Sequence, residues 1–271
     1  MLDYIYALLI GIIQGLTEFL PVSSSGHLVL SQHLLGLKLP GLTFEILLHF
    51  GTLISVLWVF RRRLAGIFSS FWALLKRDEW ARFKTSPNRW FGLLLILGSI
   101  PTAAIAFVFK EYVEQAFTSP KFVGIALFFT GLLLWVADIL PSGHKDISKT
   151  GVWDALIVGV FQGLAVFPGV SRSGSTISGA LWRGLDRKTA AEFSFLLSIP
   201  AILGATLLGV VEALKSGAWE DYWQIYLIGT VAAAAAGILA IKVFLKLLAN
   251  NRLRYFSLYC WLVGVLVIIL L

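Results

Sequence analysis

Six long apolar runs are separated by more polar segments of varied length along most of the chain. Each run is close to the ~20 residues that an α-helix needs to cross the hydrocarbon core of a bilayer. We therefore predict membrane-spanning helices at residues 43–60, 90–109, 121–140, 189–211, 224–245 and 255–271. The sequence lacks the alternating segments of ~10 residues that are typical of outer-membrane barrels. The pattern predicts an all-α polytopic membrane protein with six full transmembrane helices.

Two further apolar segments are interrupted in the middle by polar residues. Residues 2–36 are broken by PVSSSG, and residues 152–182 are broken by PGVSRSG. Two short helices joined by a polar loop at membrane depth form a re-entrant hairpin, and such backbone is stable only where it is buried in protein or lines a wet cavity. We therefore predict that each segment enters and leaves the membrane on the same side.

The two interrupted segments are also copies of one another. GIIQGLTEFLPVSSSGH at 11–27 aligns with GVFQGLAVFPGVSRSGS at 159–175, and about half of the aligned residues are identical. Unrelated sequences would match at roughly one of these positions. One integral membrane domain is therefore built from two repeats, 1–140 and 151–271, each with one hairpin and three spans. An odd number of spans inverts the second repeat, so the two hairpin tips meet inside the membrane on a pseudo-two-fold axis.

Composition and charge agree with this class and give an orientation. The chain is 58% hydrophobic and 14% charged, whereas soluble domains carry about 25% charged residues. Lys and Arg concentrate at 61–89, which places this loop in the cytoplasm, since cytoplasmic loops are enriched in both. This enrichment explains the net charge of +7, and we expect no nucleic-acid partner. No basic segment precedes the first apolar stretch, so we do not expect a removable signal peptide.

The two hairpin copies differ at the positions that carry chemistry. Glu18, Ser24 and His27 of the first copy have no equivalent in the second, which has Arg172 in place of Ser24. Acid, hydroxyl and imidazole groups transfer protons or bind a metal ion. A guanidinium group presents a fixed fork of donors to phosphate or carboxylate oxygens. Ionisable groups at membrane depth are functional candidates by default.

The sequence also predicts a site for a phosphate or diphosphate group between the tips. Each tip lies where a second short helix begins, and free N–H groups at helix N-termini attract anions. Arg172 adds a permanent positive charge. The serines that surround it or face it across the two tips are Ser23, Ser25, Ser171 and Ser173. The alternative is purely structural: the serines cap helices, and Glu18 forms a structural ion pair with Arg172.

Several chemical roles stay open at this point. Gln14 and Glu18 are four residues apart on one helical face, and their oxygens suit a hard cation such as Mg²⁺. Ser24 is a candidate nucleophile with His27 as its base, and a water molecule activated by His27 or Glu18 fits the same residues. Glu45 and His49, also four residues apart on the first predicted span, are weaker candidates for groups that support the site.

With these residues identified, the sequence resembles a known family. QGLTEFLPVSSSGH and PGVSRSGST are similar to the two motifs of the bacterial undecaprenyl-diphosphate phosphatases of the bacitracin-resistance (BacA/UppP) family, and the resemblance covers essentially the whole chain. Carried over, it implies that Glu18 is the motif's second acidic residue, Ser24 its hydroxyl, His27 its histidine and Arg172 the arginine of the second motif. Gln14 stands where many members have glutamate, which leaves Glu18 as the motif's only acid.

The resemblance implies an activity, a cofactor and a location. We expect hydrolysis of the C55 isoprenyl diphosphate to the monophosphate carrier lipid used in peptidoglycan synthesis, with bacitracin resistance as a consequence. It further implies a divalent cation, Mg²⁺ or Ca²⁺, and a site that opens to the outer face of the bacterial inner membrane. A homodimer is one further expectation. The rival hypothesis is a lipid or ion transporter or flippase, because inverted repeats with broken helices are a transporter architecture. The chemical asymmetry of the two tips favours hydrolysis.

Overall fold

A computed structural model describes residues 2–35, 41–75, 86–141, 143–216, 219–249 and 252–271. Within these ranges the chain is helical and has no β-strand, apart from one isolated bridge between Lys145 and Leu185. The predicted all-α class is therefore confirmed. The basic segment 61–89 is described only at its two ends, because residues 76–85 lie outside the described ranges.

The α-helices of the described residues follow one another with short connections. They are α1 (Leu2–Phe19), α2 (Ser24–Leu35), α3 (Gly41–Val59), α4 (Arg61–Trp72), α5 (Pro87–Val108), α6 (Lys110–Phe117), α7 (Pro120–Ile139), α8 (Val152–Leu164), α9 (Arg172–Trp182), α10 (Arg187–Ser216), α11 (Trp219–Ala249) and α12 (Leu253–Leu270). Two short 3₁₀ turns, Ala73–Leu75 and Ile147–Lys149, lie between them.

Six of these helices are long and apolar enough to cross a membrane: α1, α5, α7, the first part of α10, most of α11, and α12. Five of them match predicted spans. The remaining predicted span, 43–60, corresponds to α3, which forms with α4 a pair bent by 78°. The protein is therefore a multi-pass membrane protein with six such helices, or seven if the bent pair is one span. Helix α1 meets the same criteria, although the sequence predicted it as half of a hairpin.

The segment after α3 was predicted as a loop, and this prediction was wrong for its first part. Residues Arg61–Trp72 form helix α4. Apolar side chains recur in this segment at helical spacing, and Ile67 is buried against the rest of the protein. The dense positive charge concealed this amphipathic pattern, which is typical of a helix that lies along a surface.

The two interrupted segments break at equivalent places, as the sequence predicted. The turn between α1 and α2 contains Ser23 in the left-handed region, with φ 68°, and the turn between α8 and α9 contains Gly169 with φ 92°. In each copy a serine then caps the second helix. Oγ of Ser23 accepts a hydrogen bond from the Gly26 amide at 3.3 Å, and Oγ of Ser171 accepts one from the Gly174 amide at 3.1 Å.

The first helix of each interrupted segment packs against a long helix from the other half of the sequence. Helix α1 contacts α11 at Gly11, where a Cβ atom would collide with the Gly229 carbonyl oxygen. Helix α8 contacts α5 at Gly159, where a Cβ atom would collide with the Gly98 carbonyl oxygen. Small residues let membrane helices approach this closely. The same kind of close helix contact therefore occurs in both interrupted segments.

Candidate active site

The tips of the two interrupted segments are in direct contact. Nη2 of Arg172 donates a hydrogen bond of 2.5 Å to Oε1 of Glu18, across 154 residues of sequence. A second contact joins the tips through the backbone, since Oγ of Ser173 donates to the Leu20 carbonyl at 3.2 Å. The structure thus brings together the acid of one copy and the guanidinium of the other.

The Glu18 carboxylate is the centre of this arrangement and is 6% exposed. Its Oε2 accepts hydrogen bonds from Oγ of Ser24 at 2.6 Å and from Nε2 of Gln14 at 3.0 Å. Nε2 of His49 lies 3.7 Å from the same oxygen. Buried charges are stable only when they are paired and hydrogen-bonded, and Arg172 with these three groups meets that need.

A cavity of about 320 Å³ opens beside the carboxylate. The polar residues that line it are Glu18, Ser24, Ser25, Glu45, His49, Ser171 and Arg172. The apolar residues that line it are Leu28, Phe117, Ala165, Val166, Val170, Ala201, Ile202 and Ala205. The apolar part is the larger share of the lining. A molecule that fills the cavity must therefore combine a charged or strongly polar group with a hydrocarbon part.

Arg172 keeps one donor free for such a molecule. Its Nη2 is held by Glu18, whereas its Nη1 is buried and has no acceptor within the described part of the chain. An unpaired buried guanidinium donor is costly, and an anion in the adjacent cavity would satisfy it. The N-terminus of α9, at which Arg172 is the first residue, adds the positive end of a helix dipole.

The four serines predicted to bind the diphosphate divide into two pairs. Ser25 and Ser171 line the cavity. Ser23 and Ser173 are buried outside the lining, and both bond to backbone atoms of the protein. Capping by Ser23 and Ser171 is observed, whereas binding of a diphosphate by these serines stays a prediction.

His27 is not among the residues that line the cavity. Its Nδ1 lies 2.7 Å from the Ser23 carbonyl oxygen, and its Nε2 lies 2.7 Å from the Tyr259 hydroxyl on α12. The imidazole also stacks on the Tyr259 ring at 5.7 Å. The predicted pairing of Ser24 with His27 is not observed: the Ser24 hydroxyl donates to Glu18, because the imidazole folds back onto the preceding turn.

A different histidine lies next to Glu18. His49 of α3 lines the cavity together with Glu45, and its Nδ1 lies 2.8 Å from the Glu45 carbonyl oxygen. A carbonyl oxygen only accepts hydrogen bonds, so Nδ1 carries a proton and Nε2 is directed to the carboxylate. The side chain of Glu45 accepts a hydrogen bond from Gln32 at 2.6 Å. The sequence signalled this pair only weakly, as two polar residues on one face of an apolar span.

The cavity offers few side-chain ligands to a divalent cation. In the parts of the chain that the structure describes, no three His, Cys, Asp or Glu side chains are close enough to hold a metal ion by themselves. Two carboxylates, Glu18 and Glu45, nevertheless line one cavity. Gln14 turns its amide nitrogen toward Glu18, while its Oε1 is buried without a partner. The two carboxylates fit a cation such as Mg²⁺, which binds one or two carboxylates and takes further oxygens from water and substrate phosphates, whereas Gln14 is not among the residues that line the cavity.

Comparison with known proteins adds the family to this geometry. The family model of the bacitracin resistance protein BacA matches residues 7–266. A protein named undecaprenyl-diphosphatase from Carboxydothermus hydrogenoformans is 46% identical over 97% of this chain and 96% of its own. Proteins of the same name from Halothermothrix orenii and Methanobrevibacter smithii are 44% and 40% identical, over 96% and 98% of this chain and 95% and 97% of their own. The chain belongs to the bacitracin resistance protein BacA family.

Proposed function

We propose that this protein is an integral membrane phosphatase that hydrolyses undecaprenyl diphosphate to undecaprenyl phosphate and inorganic phosphate. The product is the lipid carrier of peptidoglycan synthesis, and its recycling accounts for resistance to bacitracin. The activity agrees with the names of relatives that align over nearly the full length. The observation that carries the proposal for this chain is the contact of Glu18 with both Ser24 and Arg172 beside a largely apolar cavity.

The diphosphate binds in the polar part of the cavity. Nη1 of Arg172, which lacks an acceptor, donates to oxygens of the terminal phosphate, and Ser25 and Ser171 line its surroundings. Phosphoryl transfer depends mainly on positioning and on neutralising charge. A guanidinium fork and a helix N-terminus supply both without moving during the reaction.

Ser24 is the nucleophile, and Glu18 is the base that accepts its proton. The hydroxyl already donates to Oε2 of Glu18 at 2.6 Å, which is within the reach that general-base catalysis requires. As Oγ of Ser24 bonds to the terminal phosphorus, the bond from that phosphorus to the bridging oxygen breaks and undecaprenyl phosphate leaves. Water then attacks the phosphoserine, inorganic phosphate is released, and the proton returns from Glu18 to Ser24.

A divalent cation completes the site, with Mg²⁺ as the first choice and Ca²⁺ as the second. Glu18 and Glu45, which both line the cavity, would hold it, and Gln14 would orient the Glu18 carboxylate through its amide group. When bound, the cation neutralises negative charge on the diphosphate. With the cation bound, Glu18 would contact it as well as Ser24 and Arg172.

The isoprenyl tail follows the apolar part of the cavity and remains in the bilayer. Ala201 and Ala205 on α10 line this part together with Ala165 and with Phe117 at the end of α6. Small side chains leave space for the first isoprene units. The substrate enters sideways between α6 and α10, so the long tail is not transferred into water, which would cost about 0.8 kcal/mol per CH₂ group.

The two interrupted segments are re-entrant hairpins of an inverted repeat comprising residues 1–140 and 151–271. This proposal is supported by reciprocal packing between the two halves: α1 of the first half packs on α11 of the second at Gly11, and α8 of the second half packs on α5 of the first at Gly159. With the basic segment 61–89 in the cytoplasm, the first hairpin enters from the outer side of the inner membrane, and the site opens to that side. Both tips come from one chain, so a homodimer is not required for activity.

Phosphate release by purified protein tests the activity without any gradient. Wild type in detergent is assayed with undecaprenyl diphosphate and with a C15 analogue, in Mg²⁺ and in EDTA. Release that needs the cation and falls at least about 10²-fold in Glu18→Gln supports the proposal. Glu111→Gln, on the exposed face of α6, is the matched control. Folded wild type that binds the lipid but releases no phosphate would refute hydrolysis and revive the transporter hypothesis, which the comparisons do not support.

A further inference from the structure

The histidine of the first hairpin is held by bonds that direct it away from the cavity. A carbonyl oxygen only accepts, so Nδ1 of His27 donates to the Ser23 carbonyl, and the Tyr259 hydroxyl donates to Nε2 of the neutral ring. Both ring nitrogens are therefore occupied. Neither bond reaches Glu18, Ser24 or the cavity lining.

The residue that His27 holds has an unusual backbone conformation. Ser23 is the one non-glycine residue with positive φ in the described ranges. Left-handed backbone persists in a serine only where its surroundings impose it. The His27 amide and Nδ1 both bind the Ser23 carbonyl, at 3.1 and 2.7 Å. Since Ser24 follows directly, the turn at Ser23 sets the direction in which the Ser24 hydroxyl points.

Helix α12 supports this turn from outside through adjacent residues. Tyr259 bonds to His27, and Sγ of Cys260 lies 3.7 Å from the Pro21 carbonyl oxygen. The other hairpin has an equivalent support, because Oγ1 of Thr130 on α7 donates to the Gly169 carbonyl at 2.9 Å. Gly169 aligns with Pro21 in the two copies. The second tip is thus contacted by α7 and the first tip by α12. The hydrogen bond between His27 and Tyr259 is a further contact that, among the described residues, only the first tip has.

We propose that His27 and Tyr259 form a latch that positions Ser24 toward Glu18, and that His27 transfers no proton to or from the substrate during the reaction. The inference rests on the proposed function and assigns a role to Tyr259. His27 acts through the Ser23 carbonyl and is a positioning residue. Its contribution therefore depends on a donor at the Nδ1 position, whereas a proton carrier would need an imidazole.

Two amide substitutions separate these roles. The Asn side chain places its amide near the position of Nδ1, and the longer Gln side chain places its amide nearer to Nε2. We expect His27→Asn to keep at least about a tenth of the wild-type kcat, and His27→Gln and His27→Ala to fall well below it. KM should change less than threefold in all three. If His27 transfers a proton in the reaction, kcat should fall about 10²- to 10⁴-fold in both His27→Asn and His27→Gln. That result would overturn the latch.

Tyr259→Phe tests the second half of the latch. Loss of the hydroxyl should lower kcat about fivefold to tenfold, while Tyr255→Phe, one turn earlier on α12 and exposed, should match wild type. In the His27→Asn background Tyr259 has no Nε2 to bind, so adding Tyr259→Phe should have no further effect. Additive losses, or an unchanged kcat in Tyr259→Phe, would refute the latch. Thermal unfolding of each variant in detergent identifies misfolded protein, and the Glu18→Gln assay reports separately on the proposed function.

Discussion

Oγ of Ser24 donates a hydrogen bond of 2.6 Å to Oε2 of Glu18, although Glu18 lies in α1 and Ser24 begins α2. The break at Pro21 and the left-handed turn at Ser23 allow this contact, since they fold the start of α2 back over the end of α1. A hydroxyl in contact with a buried carboxylate is an arrangement for nucleophilic attack. The same carboxylate is held in place by Arg172 from the other repeat.

Ser24→Ala is therefore expected to lower kcat by about 10³-fold or more, because the nucleophile itself is removed. Ser25→Ala, the neighbouring hydroxyl that lines the cavity, should raise KM and leave most of kcat. Steady-state phosphate release measures both. Acid quenching of the wild-type reaction with terminally labelled substrate should retain label on the protein. A Ser24→Ala variant with more than a tenth of the wild-type kcat would exclude Ser24 as the nucleophile.

Arg172→Lys is expected to lower kcat/KM by about 10²-fold, although the positive charge is kept. Lysine can pair with Glu18, but it has no planar fork to bind the carboxylate and the phosphate together. Arg62→Lys, at an exposed position of α4, provides the matched control and should be unchanged. Equal activities of Arg172→Lys and wild type would show that charge alone, without the fork, is sufficient.

The cation is tested through the second carboxylate of the cavity. If Glu45 helps to hold Mg²⁺, Glu45→Gln should raise the Mg²⁺ concentration for half-maximal activity by about tenfold, and saturating Mg²⁺ should restore much of kcat. Glu114→Gln, on exposed helix α6, should follow the wild-type titration. A Glu45→Gln variant whose Mg²⁺ dependence matches wild type would exclude Glu45 from the cation site.

The repeat predicted how the site is assembled but not how each side chain is directed. The alignment of 11–27 with 159–175 led to the prediction that the two polar tips meet, and the structure places the side chains of Glu18 and Arg172 in contact. The spacing of Ser24 and His27 placed both near one end of a helix, but spacing does not determine a side-chain rotamer. Tyr259, the residue that determines the orientation of His27, lies 232 residues away.

Other differences between prediction and structure have the same physical origin. His49 was ranked below His27 because one imidazole on an apolar span gives a weak signal, and its approach to Glu18 depends on how α3 packs beside α1. Helix α4 was predicted as a loop because its arginines outnumber its apolar residues in the first turn. Spans were predicted correctly where about twenty mostly apolar residues are long enough to cross a bilayer as one helix.

The position of the isoprenyl tail predicts where a large side chain should block the substrate. Ala201→Phe or Ala205→Phe on α10 fills the apolar part of the cavity, and we expect KM for undecaprenyl diphosphate to rise about tenfold or more, since a buried side chain of this size excludes an isoprene unit. Leu203→Phe, on the exposed face of the same helix, should match wild type. Unchanged KM in both alanine variants would place the tail elsewhere.

The close contact between α1 and α11 predicts a selective loss of stability. A side chain at Gly11 would meet the Gly229 carbonyl oxygen and the Ala232 side chain, so Gly11→Ala must separate the two helices. We expect it to destabilise the protein by about 1–3 kcal/mol, observed as a lower midpoint of thermal unfolding in detergent. Gly204→Ala on α10 is the control, because a Cβ atom there meets nothing within 4 Å. Alanine is the better helix former by about 1 kcal/mol, so Gly204→Ala should unfold at the wild-type temperature or above. If Gly11→Ala is as stable as Gly204→Ala, the packing of α1 on α11 does not hold the first hairpin in place, and the position of Glu18 must depend on the contacts at the tips.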